Sequence, residues 1–479
     1  MKHSVLCRGL ALIMAMGLLL VGCGTPKDAS YGLNPQEPVA ITVWHYYNGS
    51  QKVAFDNLVE EFNETTGKEL GIVVEATSKG GVNDLIQAVT DSAEGKVGAA
   101  EMPNIFSAYS DTARKIDQMG LLASLEGYFS QEELDQYVPG YLADGYIDGT
   151  DSLKLFPVAK STEILMVNKT DWDTFSQATG ASLDALSTWE GLCQTAAQYY
   201  EYSGGKSFFG RDAYANYMII GSRQLGQEVF QVQNGEVTLN LNRDAMRRLW
   251  DNMYVPMVQG HFGKYGRFAS DDAKTGDIIA LVGSTSGATY FPESVAKDDV
   301  EPYPIECLVL PLPGFAGAEP FAVQQGAGMA VAKTDATREY ASVVFLKWLT
   351  EADRNILFSL SASYMPVKKE ANDIDRIKAV MEENGIQVSP IVEQTLETSI
   401  QEAKTYQFYT SKPFDNGTEA RAVMENHMVD RALADKAAVE AQIAQGVSRR
   451  EALAPYLSDE NFDAWFQDFS KALRQVVGQ

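Results

Sequence analysis

The side chains that most often do chemistry lack, in this chain, the spacing that chemistry needs. Four histidines, His3, His45, His261 and His427, are scattered. None forms a His-x-x-x-His pair or stands near a cysteine pair, so no zinc-type centre is expected. Gly205-Lys206-Ser207 has the tail of a phosphate loop, but Tyr200 occupies the required first glycine position. Gly283-Ser284-Thr285-Ser286-Gly287 has the outline of a nucleophile elbow with threonine at its centre in place of serine. Asp148-Gly149-Thr150-Asp151 lacks the spaced acidic ladder of a calcium loop. The 64 aspartates and glutamates could include an acid pair of the glycosidase kind, yet the sequence singles out no two of them. The expectation is no catalytic set, no metal and no cofactor.

The setting of these residues narrows the class further. The chain has 479 residues, 45% hydrophobic and 22% charged, long enough for two lobes and too apolar for a disordered chain. Lys plus Arg number 39, so the formal charge is −25, and a field of that sign repels nucleic acid. Lys2 and Arg8 precede an apolar run from Gly9 to Val21, followed by Leu20-Val21-Gly22-Cys23. A charged start, a short apolar stretch and small residues read as a signal peptide over residues 1–22. Leu-Val-Gly-Cys resembles the lipobox of bacterial lipoproteins, which implies lipidation of Cys23; a plain secreted protein cut near Gly22 is the other reading. Residues 23–38 mix Gly, Pro, Ser, Asp and Gln without periodicity and read as a flexible tether. Cys193 and Cys307 sit in apolar contexts and read as unpaired structural thiols, with a bridge between them as the alternative.

Beyond the tether, strand and helix signals alternate. Val39 to Trp44 is a β-branched run. Phe55, Leu58, Val59 and Phe62 then share one helix face, and Ile72-Val73-Val74 opens a second strand. Val82, Leu85, Ile86 and Val89 repeat the helical spacing before a third strand at Ile105-Phe106. That order predicts βαβ units and a mainly parallel sheet, with ligands outside the carboxyl ends of its strands. The loops after the strands, Trp44-His45-Tyr46-Tyr47, Thr77-Ser78-Lys79-Gly80 and Ala108-Tyr109-Ser110-Asp111, are therefore rim candidates. A hairpin turn is expected at Ile147-Asp148-Gly149-Thr150, and Ser187-Thr188-Trp189-Glu190 has capping-box spacing. Asp277 to Val282 and Cys307 to Leu312 read as strands, Ala341 to Leu349 as an apolar helix, and the chain from Ile377 as mostly helical. Trp189, Trp250 and Trp348 read as packing residues.

Several segments, in this order, resemble the extracellular solute-binding proteins of ABC importers, the family of maltose-binding and glycerol-3-phosphate-binding proteins. They are Ile41-Thr42-Val43-Trp44-His45, Phe62-Asn63-Glu64-Thr65-Thr66-Gly67, Phe156 to Leu165 with Val167-Asn168-Lys169, Thr188-Trp189-Glu190-Gly191-Leu192, Gly276 to Leu281, Gln324-Gln325-Gly326-Ala327-Gly328, Phe345 to Leu349 and Tyr364-Met365-Pro366-Val367. The resemblance implies an α/β, two-lobe periplasmic-binding-protein-like fold of type II, with the ligand cleft between lobes joined by crossing hinge segments. Lobe one would hold residues 39–160 and 326–362, and lobe two residues 161–325 and 363–479, with crossings near Pro157 to Glu163 and Gln324 to Ala330. It also implies a monomeric, lipid-anchored receptor on the outer face of the membrane, handing a sugar or polyol phosphate to ABC permease subunits.

Carried over residue by residue, the resemblance puts ligand contacts at Ser161, at Ser284 and Ser286, at the backbone of Gly326, at Tyr364 and at Arg421. Tyr214 and Tyr217 fall on two family tryptophans, and their i, i+3 spacing places both rings on one helix face, where they could stack on a sugar or fill core. Arg421 could instead pair with Glu419 or Glu425 on its own helix. Tyr46, Tyr47 and Asp111 complete the candidate set from the rim loops. Two departures, Val82 for a family tyrosine and Ser110 or Asp111 for a family glutamate, favour a neutral sugar over glycerol-3-phosphate. A secreted carbohydrate-active enzyme is the reading from a different class.

Overall fold

The computed structural model describes residues 31–147, 152–233, 235–297 and 301–479. The signal peptide, the lipobox with Cys23 and residues 148–151 of the expected hairpin turn lie outside the described residues. The helix Gly49–Glu64 forms where the sequence spacing put it, burying Phe55, Leu58, Val59 and Phe62. Those side chains pack on a sheet whose strands are β1 (Val39–His45), β2 (Ile72–Ser78), β3 (Ile105–Ala108), β4 (Leu155–Pro157) and β14 (Gly328–Val331), in the order β2-β1-β3-β14-β4. β1 runs parallel to β2 and β3, whereas β14 is antiparallel to both β3 and β4. Parallel pairing thus stops at β14, for a topological reason. β4 leaves this sheet at Pro157, and β14 re-enters beside it with Gly328 opposite Pro157.

A second sheet has the order β12-β5-β9-β6 and comprises β5 (Glu163–Asn168), β6 (Phe209–Arg211), β9 (Ala280–Ser284) and β12 (Cys307–Pro311). Every residue of β5 is buried, as expected of a strand covered on both faces. Its core holds Trp189, Trp250 and Trp465, with the Trp250 ring stacked on Tyr254 at 3.4 Å. The long helix Gly417–Ala444 buries Ala420, Met424, Met428 and Val429 in the same core. Smaller pairs complete the strand set: β7 (Phe230–Gln233) with β8 (Glu236–Leu239), β10 (Ser294–Val295) with β11 (Tyr303–Pro304), and β13 (Phe321–Val323) with β15 (Gln407–Tyr409).

Three chain segments meet where the sheets adjoin. Ser161 N–H donates to Gln325 O at 3.0 Å and Gln325 N–H to Ser161 O at 2.8 Å, so the first two crossings are bridged. Lys160 and Met365 exchange bonds of 3.1 and 2.6 Å, which adds a third segment, one that the sequence marked by resemblance but not as a crossing. Tyr364, Met365 and Val367 accordingly belong to the core of the first sheet, where Phe358 and Trp348 also lie, and not to lobe two as the boundary at 363 has it. Strand pairing across this length of chain leaves no local pattern to read.

Three local expectations also shift. The helix Trp189–Ser203 is capped by Thr188, whose hydroxyl accepts from Gly191 N–H, so Ser187 is not the cap; Glu190 instead pairs with Arg248. Residues 31–38 are docked and not free tether: Tyr31 stacks on Tyr340 at 4.1 Å, and its carbonyl accepts from Thr337 Oγ1 at 2.7 Å. An aromatic pair covering a lobe surface holds that end of the segment in place. Cys193 and Cys307 are free thiols.

Candidate functional site

Between the sheets lies a cavity of about 670 Å³, walled by both lobes and floored by the crossings. Its floor is set by Gly326, whose φ of +96° and crowded surroundings, with Ala159 O only 2.8 Å from where a Cβ would stand, leave room for glycine alone. Lys160 lies beneath it, 1% exposed, with Nζ donating to Gly326 O at 3.0 Å and to Asp144 Oδ2 at 2.8 Å. The cavity therefore presents Asp144 already neutralised by a buried cation. Ser161, 2% exposed, lines the cavity beside them.

On the second lobe's side the wall begins where β9 ends. Ser284 and Ser286 both line the cavity, their hydroxyls 2.9 Å apart, and Thr285 between them turns inward to bond the Thr162 backbone. Next to them stands a buried polar array. Arg211 Nη2 donates to both Glu163 oxygens at 3.0 and 3.1 Å, and Asn216 Nδ2 donates to Glu163 Oε1 at 2.7 Å. Arg421 Nη2 donates to Asn216 Oδ1 at 2.5 Å. Arg421 is thus aimed at the cavity by an amide whose own orientation a buried ion pair fixes. Among the described residues it makes no ion pair. Glu425, one of its expected partners, instead accepts from Ala215 N–H at 2.7 Å.

The first lobe contributes Tyr109, Ser110 and Asp111 from the loop after β3 and the start of helix Ser110–Gln118, together with Tyr364. Burial raises the Asp111 carboxyl above its ordinary value and Asp144 adds to the rise, while Arg421 and Arg114 oppose it. Burial likewise raises the Tyr364 phenol. Two further gaps adjoin the cavity. One of about 470 Å³ shares Ser286 and is lined by Tyr46, Gln51, Ser361 and Tyr290. The other, about 250 Å³, shares Asp111 and Gly417.

The structure thus gathers Asp111, Ser161, Ser284, Ser286, Gly326, Tyr364 and Arg421 around one cavity, with Tyr46 at the adjoining gap. It does not bring Tyr47, Tyr214 or Tyr217 there. Tyr47 is 3% exposed and packs against Phe55 and Phe358, because its ring turns into the first core as the chain leaves β1. Tyr214 and Tyr217 do share a helix face, but it is the core face: Tyr217 meets Trp189 edge-on at 4.9 Å and its hydroxyl donates to Leu249 O. Asn216, Ile219 and Ile220 of that helix line the cavity instead. They repeat at their own i, i+3, i+4 spacing, a signal the sequence carries but which the tyrosines outweighed. Tyr409, Phe230 and Phe414 also line the wall and had no sequence signal. Among the described residues no group of His, Cys, Asp and Glu could hold a metal.

A family model described as bacterial extracellular solute-binding protein matches residues 57–384. No curated protein sequence matches the chain. Among solved structures, the cyclic alpha-maltosyl-1,6-maltose binding protein of Arthrobacter globiformis aligns with TM-score 0.67 and 18% identity over 92% of this chain and 99% of its own. UgpB of Mycobacterium tuberculosis, solved with glycerophosphocholine, gives 0.66 and 17% over 92% and 98%. Lmo0181 of Listeria monocytogenes, solved with cycloalternan, gives 0.63 and 13% over 91% and 99%. At these identities the likeness is one of fold, the two-lobe periplasmic-binding-protein arrangement.

Proposed function

The chain belongs to the bacterial extracellular solute-binding proteins, and on that premise we propose that it is the lipid-anchored receptor of an ABC importer, capturing a neutral carbohydrate and delivering it to the permease. Proteins of this family bind sugars or related small molecules and work with ABC permeases, and the chain is a binder and not an enzyme. The observation that carries the carbohydrate reading is the composition of the 670 Å³ cavity. Serine hydroxyls, Asn216 and glutamines can satisfy sugar hydroxyls, while Tyr109, Tyr364 and Tyr409 offer ring faces to its C–H surfaces. Its size falls in the range of small-molecule sites. Two of the structural neighbours are binding proteins for cyclic sugars, cyclic alpha-maltosyl-1,6-maltose in one and cycloalternan in the other.

Anchoring rests on the lipobox at Cys23, since among the described residues no helix is long and apolar enough to cross a membrane. A phosphorylated polyol is the second reading, favoured by Arg421, a cation with no ion partner in the described cavity wall. Against it, Asp111 faces the same space. Isothermal titration of the mature protein against a panel of oligosaccharides and polyol phosphates separates the two. Saturable one-to-one binding of a neutral sugar, with Tm raised by mass action, is the expected result. Binding confined to phosphorylated compounds would replace the first reading with the second.

A further inference from the structure

The lobes also meet away from the crossings. Helix Ser110–Gln118, held to the first lobe by buried Ala113 and Ile116, faces the β7–β8 hairpin and the start of helix Gly417–Ala444 on the second. Arg114 reaches across this divide and is only 14% exposed. The nitrogen tips of its guanidinium abut Gly235 at the hairpin tip, where an added Cβ would stand 2.8 Å from Nη1 and 2.9 Å from Cζ. Nη2 also lies 3.4 Å from Asp415 Oδ1. The neighbouring Lys115 pairs instead with Glu94 of its own lobe, so crossing over is particular to Arg114. One turn earlier, Asp111 Oδ1 is 3.5 Å from where a Cβ of Gly417 would be. Two glycines of one lobe therefore receive two side chains of a single helix of the other.

We propose that Arg114 is a positioning residue that clasps the two lobes, seated on Gly235 and paired with Asp415, and so biases the chain toward the closed arrangement before solute arrives. Asp415 is 79% exposed, so the ion pair contributes little, and the hold comes from the guanidinium nitrogens packed close against the bare glycine. Arg114 does not line the main cavity. Its influence on binding therefore runs through the closed fraction, since apparent affinity scales with the population competent to bind. That consequence rests on the receptor reading. The test of the clasp does not, because it measures shape without any solute.

Small-angle X-ray scattering of the mature, solute-free protein is compared with that of Arg114→Ala and Gly235→Asn, with circular dichroism verifying the fold of each. Asparagine tolerates the positive φ of Gly235 better than most residues, and its Cβ displaces the guanidinium. Both variants are expected to shift to a larger radius of gyration. With a bound sugar in hand, both should weaken apparent affinity by about three- to tenfold. A scattering curve of Arg114→Ala superimposable on that of the parent overturns the proposal, as does lost affinity without a change of shape. Should Arg114→Ala fail to fold, Gly235→Asn decides by the same criterion. Parent protein that binds none of the sugars, with variants that still open, counts against the ligand and leaves the clasp standing.

Discussion

Replacing Glu402 by glutamine should stabilise the protein at neutral pH and do so far less in mild acid. Glu402 ends the helix Pro390–Thr405 and is fully buried where that helix packs on β12. Oε1 accepts from Leu312 N–H at 2.5 Å, but Oε2 has no hydrogen-bond partner among the described residues. Burial, with the nearby Glu163 carboxylate adding to it, lifts the carboxyl from its ordinary 4.5 to about 8, the Leu312 N–H opposing. The phenols of Tyr141 and Tyr406 are the other titratable groups that feel it. The folded chain therefore holds a proton that the unfolded chain gives up above about pH 4.5, so this group's contribution to stability is whole below that pH and drains away as pH climbs through 8. At 1.36 kcal/mol per unit, the loss between pH 5 and pH 7 comes to about 2.5 kcal/mol. Glutamine keeps an acceptor for Leu312 N–H and has no proton to lose. The stability gap between Glu402→Gln and the parent should widen by that amount over the interval, roughly 2–3 °C in Tm for a chain of this length, which thermal unfolding at the two pH values reads directly. A gap that stays constant with pH would refute the assignment of a neutral, buried carboxyl at this position.

Tyr217, placed in the core and not at the cavity, gives a sharp contrast with Arg421. Tyr217→Phe loses the hydroxyl bond to Leu249 O and should cost about 1 kcal/mol of stability in chemical denaturation while leaving solute affinity unchanged. Arg421→Ala should leave Tm nearly unchanged, since its side chain is exposed apart from the Asn216 bond, and titration should show phosphorylated ligands lost and neutral sugars weakened by only about tenfold, the share of one hydrogen bond. If the cargo is neutral, its association rate measured by stopped flow should be indifferent to salt. An anionic cargo approaching a chain of charge −25 should bind faster as salt is added.

How much of this was legible depended on whether the responsible contact was local. The βα alternation was, because Phe55, Leu58, Val59 and Phe62 satisfy helical periodicity on their own, and Val39 to Trp44, within β1, is a β-branched run. Ser161 and Gly326 came through resemblance to a crossing segment, and the structure adds the reason for the glycine, the carbonyl of Ala159 pressing on it. The third crossing was not legible: Met365 meets Lys160 only after the chain has traversed both lobes. Nor was the orientation of helix Tyr214–Gln224. Periodicity groups residues by face without naming which face looks at the cavity, and this helix is buried almost all round, so no polar stripe marks the outside. Arg211, Glu163, Asn216 and Arg421 come from four separate elements, and no spacing rule links them.

That array also argues for the kind of cargo. A buried Arg211–Glu163 pair adds little net stability by itself, because desolvation offsets much of the attraction between the partners. Its value here is geometric: it locks Asn216, which presents its oxygen to Arg421 and leaves the guanidinium's remaining N–H groups directed at the cavity. Lys160 does the converse on the opposite wall by holding Asp144 in a paired state. Asp111 is left across from Arg421, with a carboxyl raised by burial and partly restored by that same arginine. A phosphate seated on Arg421 would take up the cation that opposes the rise of the Asp111 carboxyl and would stand near that acidic group. A sugar hydroxyl can donate to Asp111 and another can accept from Arg421, so both groups keep partners of the right kind and the charges of the wall stay balanced. On the proposed reading, the wall therefore offers partners of both kinds to a neutral, hydroxyl-rich solute.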